Sequence, residues 1–330
     1  DRKAETGGNI KQEIENNSQS KLAFLDIPIL KNEDDDPGVY VATVRTNKNL
    51  SWRGSSVLSS NENIGPFYEQ TTLFNEAKMG SVVDILGDFK MGNITDTLNL
   101  IEVTLISGTL ESVTDDDLLN GYNMCVIGNE ILQFKNAIMI NENTYQLSTF
   151  LRGRRGTEQY ISNHQDGERF IMLPMSNSDI IKRIFKDNVH LGEKRFIKNV
   201  TLGQIESTAR ASEYVNEGNG LKPYAVNNVD GFSDTNGDKI CKFNKSVRGY
   251  SPLQDLRDAY DLDGDLYEIE IYKDNTYTEV LRLLTIGNLN FRYTASEQIA
   301  DFGAIQSNVY IKIFKLGKII GRGFETKAVI

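Results

Sequence analysis

What most limits the folds open to this chain is a period of two in side-chain polarity, repeated in short runs along most of its length. In NLIEVTLI, Ile101, Val103 and Leu105 alternate with Glu102 and Thr104, and in DLYEIEIY, Tyr267, Ile269 and Ile271 alternate with Glu268 and Glu270. Successive side chains of a strand leave opposite faces, so this spacing marks a strand with one buried and one wet face. LAFLDIPIL sets Leu25, Ile27 and Ile29 on one side, with Pro28 suited to an edge or a strand end. GVYVATV is apolar at both parities and reads as a central strand. MCVIGNEILQF reads as a hairpin around Gly128-Asn129, and NAIMINENTYQLSTFL as another around Asn141-Glu142-Asn143. One stretch has helical spacing: residues 204–217, with Ile205, Ala209 and Tyr214 on one face and Gly218 as a stop. The expected fold class is mainly β, with several sandwich- or barrel-like modules and one or two short helices.

Charge narrows the function classes. The net charge of −10 argues against a general nucleic-acid or anionic-membrane binder, whose footprint is a basic surface. No run of about 18 apolar residues suggests a membrane-spanning helix. The first residue is Asp and no secretory leader opens the chain, so a fragment or processed piece is expected. Cys125 and Cys241 each sit in apolar strand-like surroundings without a CxxC neighbour and read as buried free thiols. Two histidines, His164 and His190, are sparse material for metal or triad chemistry. His164 reads as a hydrogen-bonded loop residue, and His190 shows no partner in sequence. Trp52 reads as core, with a sugar-stacking platform as the alternative.

The acidic chain carries one basic concentration. In YQLSTFLRGRRGTE, Arg152, Arg154 and Arg155 follow a strand, broken by Gly153 and Gly156. A structural clasp with Glu158, Asp166 and Glu168 is the favoured reading, because guanidinium forks pair with carboxylates. Contact with a neighbouring subunit comes next. A phosphate grip comes last, since the Lys-Ser/Thr end of a P-loop is missing. Asp34, Asp35 and Asp36 read as a solvated turn. Asp234, Asn236 and Asp238, and likewise Asp261, Asp263 and Asp265, are weak calcium candidates: alternating oxygens are present, but Gly237 and Gly264 fall at the wrong loop positions. No cofactor is expected.

Eight blocks, in order, resemble one family: LDIPIL with DDDPGVYVA, WRGSSVLSS, LISGTLESVTDDDLLNGYNMCVIGNEILQF, TYQLSTFLRGRRGTE, HQDGERFIML, KNVTLGQ, GNGLKPYAV and YTASEQIADFGAIQSNVYIKIFKLGKIIGRGF. The chain is similar to the tail-tip, or host specificity, proteins of gene transfer agents and related tailed phages. The resemblance implies a structural role at the distal end of a virion tail, as tail tip or baseplate hub, and participation in host attachment. It also implies a fibronectin type III-like C-terminal sandwich, other tail proteins as partners, a homotrimer in the particle, and a bacterial surface receptor such as a polysaccharide. Nucleic acid and membrane insertion are not implied. Where relatives show a Trp-containing strand this chain has KFNK, and Phe243 is expected in that core place. The expected division is a linker over 1–20, a β-domain over 21–80 plus 170–228, an inserted β-rich domain over 81–169, and the sandwich over 229–330. Three sequential domains are the alternative. No catalysis is expected; a carbohydrate-binding module and an envelope-degrading hydrolase stand as the other classes.

Overall fold

The structure is a computed structural model that describes residues 17–91, 94–174, 179–249 and 261–330. Its first unit is built from β1 (Ser20–Leu25), β2 (Val39–Arg45), β3 (Ser55–Ser60) and β4 (Tyr68–Leu73). The chain then forms β5 (Met79–Val82), β6 (Asp96–Leu105), β7 (Met124–Ile127), β8 (Glu130–Asn141), β9 (Thr144–Arg154) and β10 (Arg169–Met172), which close into a barrel in the order β10-β5-β6-β9-β8-β7. It returns to the first unit with β11 (Ile181–Ile184), β12 (Lys194–Thr201) and β13 (Ser212–Val215). Two sheets result there, β1-β2-β11 and β13-β12-β3-β4.

β2 explains how these parts are stacked. Val39 and Val41 pack with Val57, Leu73, Ile184, Phe185 and Ile197, between the two sheets. Tyr40, Ala42 and Val44 point the other way and pack with Met79, Val126, Ile131 and Ile171 on the outside of the barrel. Apolar residues at both parities thus give one strand two cores, each full aliphatic burial being worth about 1.5–3 kcal/mol. Inside the barrel, Ile101, Val103 and Leu105 of β6 meet Leu132, Phe134, Leu147, Phe150 and Phe170. The barrel closes its own edges, which removes the unpaired rows that invite aggregation.

The C-terminal unit comprises β14 (Asn227–Ser233), β15 (Lys239–Asn244), β16 (Tyr267–Tyr272), β17 (Val280–Ile286), β18 (Asn290–Tyr293), β19 (Tyr310–Gly317) and β20 (Gly321–Val329). Sheet β14-β15-β18 faces sheet β17-β16-β19-β20. This three-plus-four arrangement is a fibronectin type III-like sandwich. Phe243 is buried in its core, edge-on to Tyr267 at 5.1 Å between ring centroids.

Two α-helices are present among the described residues, α1 (Asp115–Leu119) and α2 (Ala295–Phe302). Each begins with a reciprocal capping box, Thr114 with Asp117 and Thr294 with Glu297. The helix expected over 204–217 is not there. A 3-10 turn at Glu206–Thr208 leads into β13, which pairs along β12 from Ile197↔Ser212 to Lys194↔Val215. Ile205, Ala209 and Tyr214 alone share a face across these fourteen residues, too few to hold a helix, and Tyr214 instead stacks on Phe24 with centroids 4.2 Å apart.

Ala42 is fully buried where β2 meets the barrel. Ala42→Leu is expected to cost about 1–3 kcal/mol by overpacking that contact, read as a lower urea midpoint with an unchanged m-value.

Candidate functional site

The densest group of charged side chains lies at the end of the barrel where β6 and β8 begin and β9 ends. Glu130 precedes Leu132 and Phe134 at the same parity of β8, so the strand that fills the core also aims this carboxylate inward. Arg152 Nε donates to Glu130 Oε1 at 2.9 Å, and Nη2 donates to Oε2 at 2.9 Å, a bidentate fork. Arg152 Nη1 donates to Asp96 Oδ2 at 3.1 Å and to the Gly87 carbonyl at 3.0 Å. All three side chains are essentially sealed from solvent. Asp96 Oδ1 also accepts from the backbone N–H groups of Leu98 and Asn99, and Gly153 N–H donates to Glu130 Oε1 at 2.7 Å.

His164 completes the cluster. Its Nε2 lies 2.7 Å from Glu130 Oε2 and its Nδ1 lies 2.7 Å from Glu168 Oε2. Both ring nitrogens therefore face a carboxylate oxygen, an arrangement only the imidazolium satisfies with two donors. Burial alone would lower the His164 pKa, but the bonds to Glu130 and Glu168 and their charges leave it raised. Burial likewise works against ionised Glu130, yet His164, Arg152 and the Gly153 N–H hold it below its ordinary range. Two cations thus neutralise most of three acids. Asp96 and Glu130 are sealed from solvent in this cluster, while Glu168 keeps about a fifth of its side chain exposed at the rim.

The structure places the other candidate residues as follows. Arg152 takes Glu130 and Asp96 as partners, not Glu158, Asp166 or Glu168, although Glu168 joins through His164. Arg154 pairs with Ile131 in the ladder, and its charge acts on Glu158 nearby. Arg155 Nη1 donates to the Ile29 carbonyl at 3.0 Å, tying the loop to the first unit. Gly156 has φ +73°, and a Cβ there would lie 2.3 Å from the Tyr224 ring, so only glycine lets this loop seat that tyrosine.

Asp34, Asp35 and Asp36 lie in a partly exposed turn, but their carboxylates are paired with arginines. Arg183 bridges Asp34 at 3.3 Å and Asp36 at 2.7 Å, while Asp35 is 2.7 Å from Arg248. Consecutive side chains diverge, which lets one acidic run hold two arginines. Arg248 also pairs with Asp263 at 3.1 Å and donates to the Gly220 carbonyl at 2.9 Å. One guanidinium thereby joins the first unit, the connector and the sandwich. Asp261 holds Lys315 at 2.7 Å, and Asp265 holds Lys245 at 3.0 Å. Asp234 and Asp238 both take Arg292, and Asn236 donates its backbone N–H to Asp234 in the turn. Each calcium-candidate aspartate is thus neutralised by a basic side chain. Among the described residues no three His, Cys, Asp or Glu are grouped to hold a metal ion.

His190 does have a partner: Arg195 Nη2 lies 2.9 Å from its Nδ1, and its ring packs on Phe185. Trp52 is half-buried between strands and donates its indole N–H to Ser20 Oγ at 2.7 Å. Cys125 and Cys241 are free and buried, and burial pushes the Cys241 thiol up to about 12. No helix among the described residues is long and apolar enough to cross a membrane.

A feature passed over in sequence is an apolar outer face on the barrel. Leu98 is 77% exposed and Leu100 is 55% exposed, on the side of β6 opposite Ile101 and Val103. Ile138, Met139 and Ile140 are also exposed near the tip of the β8–β9 hairpin. The parity break at Leu98 and Leu100, apolar residues on the wet side of an alternating strand, was the available signal.

Residues 77–171 match a family described as Rcc01698-like, C-terminal; Rcc01698 is a gene transfer agent-associated protein. The matched stretch coincides with the barrel, β5 to β10. No curated protein matches the chain. Among solved structures, the chicken CNTN1 FN1–FN3 domains share 6% identity at a TM-score of 0.24, covering 94% of this chain and 96% of that one. A two-domain fibronectin type III segment of chicken tenascin shares 8% at a TM-score of 0.24, covering 75% and 99%. A cytokine receptor complex shares 6% at a TM-score of 0.27, covering 94% of each chain. The sandwich assignment rests on strand order.

Arg152→Met leaves two buried carboxylates short of their cation and is expected to cost about 3–5 kcal/mol in urea unfolding. His164 gives a signed pH dependence. Its folded pKa lies above the ordinary 6.5, so its stabilisation is complete below 6.5 and is lost as pH rises through the folded value. The stability margin of the native chain over His164→Gln should therefore be full below the ordinary histidine value and shrink as pH rises above it through the raised folded value, measured by urea melts at a series of pH values.

Proposed function

We propose that this chain is a structural component of the distal tail of a phage or gene transfer agent, at the tail tip or baseplate hub, with a part in attachment to the host cell. The observation that carries this reading is the Rcc01698-like match lying over the barrel, which points to a phage-related or gene transfer agent-related protein. The architecture suits the role. A sandwich, a barrel and a fibronectin type III-like module are joined by buried cores and by arginines that reach across their boundaries. Such joints resist bending, which a part that transmits contact from a cell surface requires.

The reading gives the chain no catalytic step. The buried barrel acids Asp96 and Glu130 are bound to Arg152 and His164, which ties them up as ion-pair partners and not as a free carboxylate pair facing a glycoside. The exposed Leu98–Leu100 face is assigned to contact with another tail protein or another copy of this chain, since contiguous exposed apolar surface marks interaction sites. A homotrimer fits that assignment.

Electron microscopy of intact particles carrying a label on this chain tests the location: label at the far end of the tail is expected, and label on the head or along the tube would defeat the proposal. The Leu98→Lys, Leu100→Lys double variant should keep its melting temperature, because both side chains are exposed, and should fail to enter particles.

A further inference from the structure

An unassigned groove of about 660 Å³ opens where β1 meets the β12–β13 hairpin. That volume falls in the range of sites for small ligands, about 300–1,000 Å³. Its floor is Leu22, Phe24 and Ile197, with Phe24 held flat by its stack on Tyr214. One wall is a row of hydroxyl and amide groups. Ser20 Oγ lies 2.7 Å from Thr201 Oγ1, and Asn199 Nδ2 donates to the Ser20 carbonyl at 3.1 Å. Asn199 Oδ1 is buried without a donor among the described residues. Gln204, Thr208 and Arg210, in and beside the 3-10 turn, also line it.

Charge sets this groove apart. In a chain of net charge −10 its lining contains no carboxylate. The nearest acids of the hairpin are already neutralised, Glu206 by Lys198 at 3.0 Å and Glu213 by Lys194 at 3.0 Å. Arg210 is exposed and has no ion-pair partner among the described residues. An apolar floor that takes the face of a ring, hydroxyls and carboxamides that match vicinal hydroxyls, and one guanidinium fork fit a particular chemistry.

We propose that this groove binds an acidic saccharide, a sugar unit bearing a carboxylate. Arg210 takes the carboxylate as a bidentate pair. Ser20, Gln204 and Thr208 exchange hydrogen bonds with the hydroxyls. Phe24 and Leu22 receive the apolar face of the ring. The inference deepens the attachment role proposed above and rests on it, but it is read on the purified chain, whereas location is read on particles, so the two can fail separately.

The test is isothermal titration of the full chain with trigalacturonate, trimannuronate and sialyllactose, each beside its neutral counterpart. Saturable binding of at least one acidic member, at a Kd of about 1 mM or tighter, is expected. The neutral counterpart and the Arg210→Gln variant should each bind about tenfold more weakly or worse, with the variant's melting temperature unchanged. No saturable binding by any acidic member overturns the proposal. So does equal binding of the neutral counterparts, or binding that survives Arg210→Gln undiminished.

Discussion

The arrangement of the N-terminal two-thirds of the molecule depends on one strand being covered on both sides. β2 gives Val39 and Val41 to the sandwich core and Tyr40, Ala42 and Val44 to the contact with the barrel. A strand with one wet face could have capped the sandwich or docked the barrel, but not both. Because the side-chain period is two, a slip of one residue would exchange the two sets. Ala42 would then stand where the sandwich needs a valine, and bulk would be driven into the close contact with Met79 and Ile171. The position of the barrel is thus fixed by the register of β2 against β1 and β11.

The buried charges fix register in a second way. Asp96, Glu130 and Arg152 stand at the ends of three strands, β6, β8 and β9, that are neighbours in the barrel. A slip of any one strand would leave an uncompensated ion in a dry interior, which costs far more than a lost apolar contact. Apolar packing tolerates approximate fits; this cluster does not. The penalty for wrong pairing, more than any gain over a hydrophobic plug, is what the charges contribute.

Much of this was readable in the chain, and the gaps have physical causes. Alternation in NLIEVTLI and DLYEIEIY located strands, and the two-sided GVYVATV located the strand between cores. The partners of Arg152 were not readable by proximity, since Glu130 and Asp96 lie 22 and 56 positions away and meet it only when the barrel closes. A subtler sign existed: Glu130 sits at the inward parity set by Leu132 and Phe134, and a charge at such a position needs a counter-charge. The stretch 204–217 misled because a few apolar residues at near-helical spacing also suit an edge strand. Thr294-x-x-Glu297 announced a helix start that periodicity alone passes over. The acidic runs Asp34–Asp36 and Asp261–Asp265 looked like solvent or calcium because arginine and lysine partners from distant segments leave no mark on local sequence.

The barrel also has an unusual relation to mechanical load. Its entry and exit are side by side: Met79 pairs with Ile171, and Met172 N–H donates to the Lys78 carbonyl at 3.0 Å. Tension applied between β1 and β20 therefore need not travel around the barrel wall. It reaches those first rungs and would open them one after another, as a zipper opens, instead of shearing a whole ladder at once. Behind the rungs stand Ala77, Met79, Ile171 and Leu173, pressed against β2. Those four side chains back the first rungs that such tension would have to open.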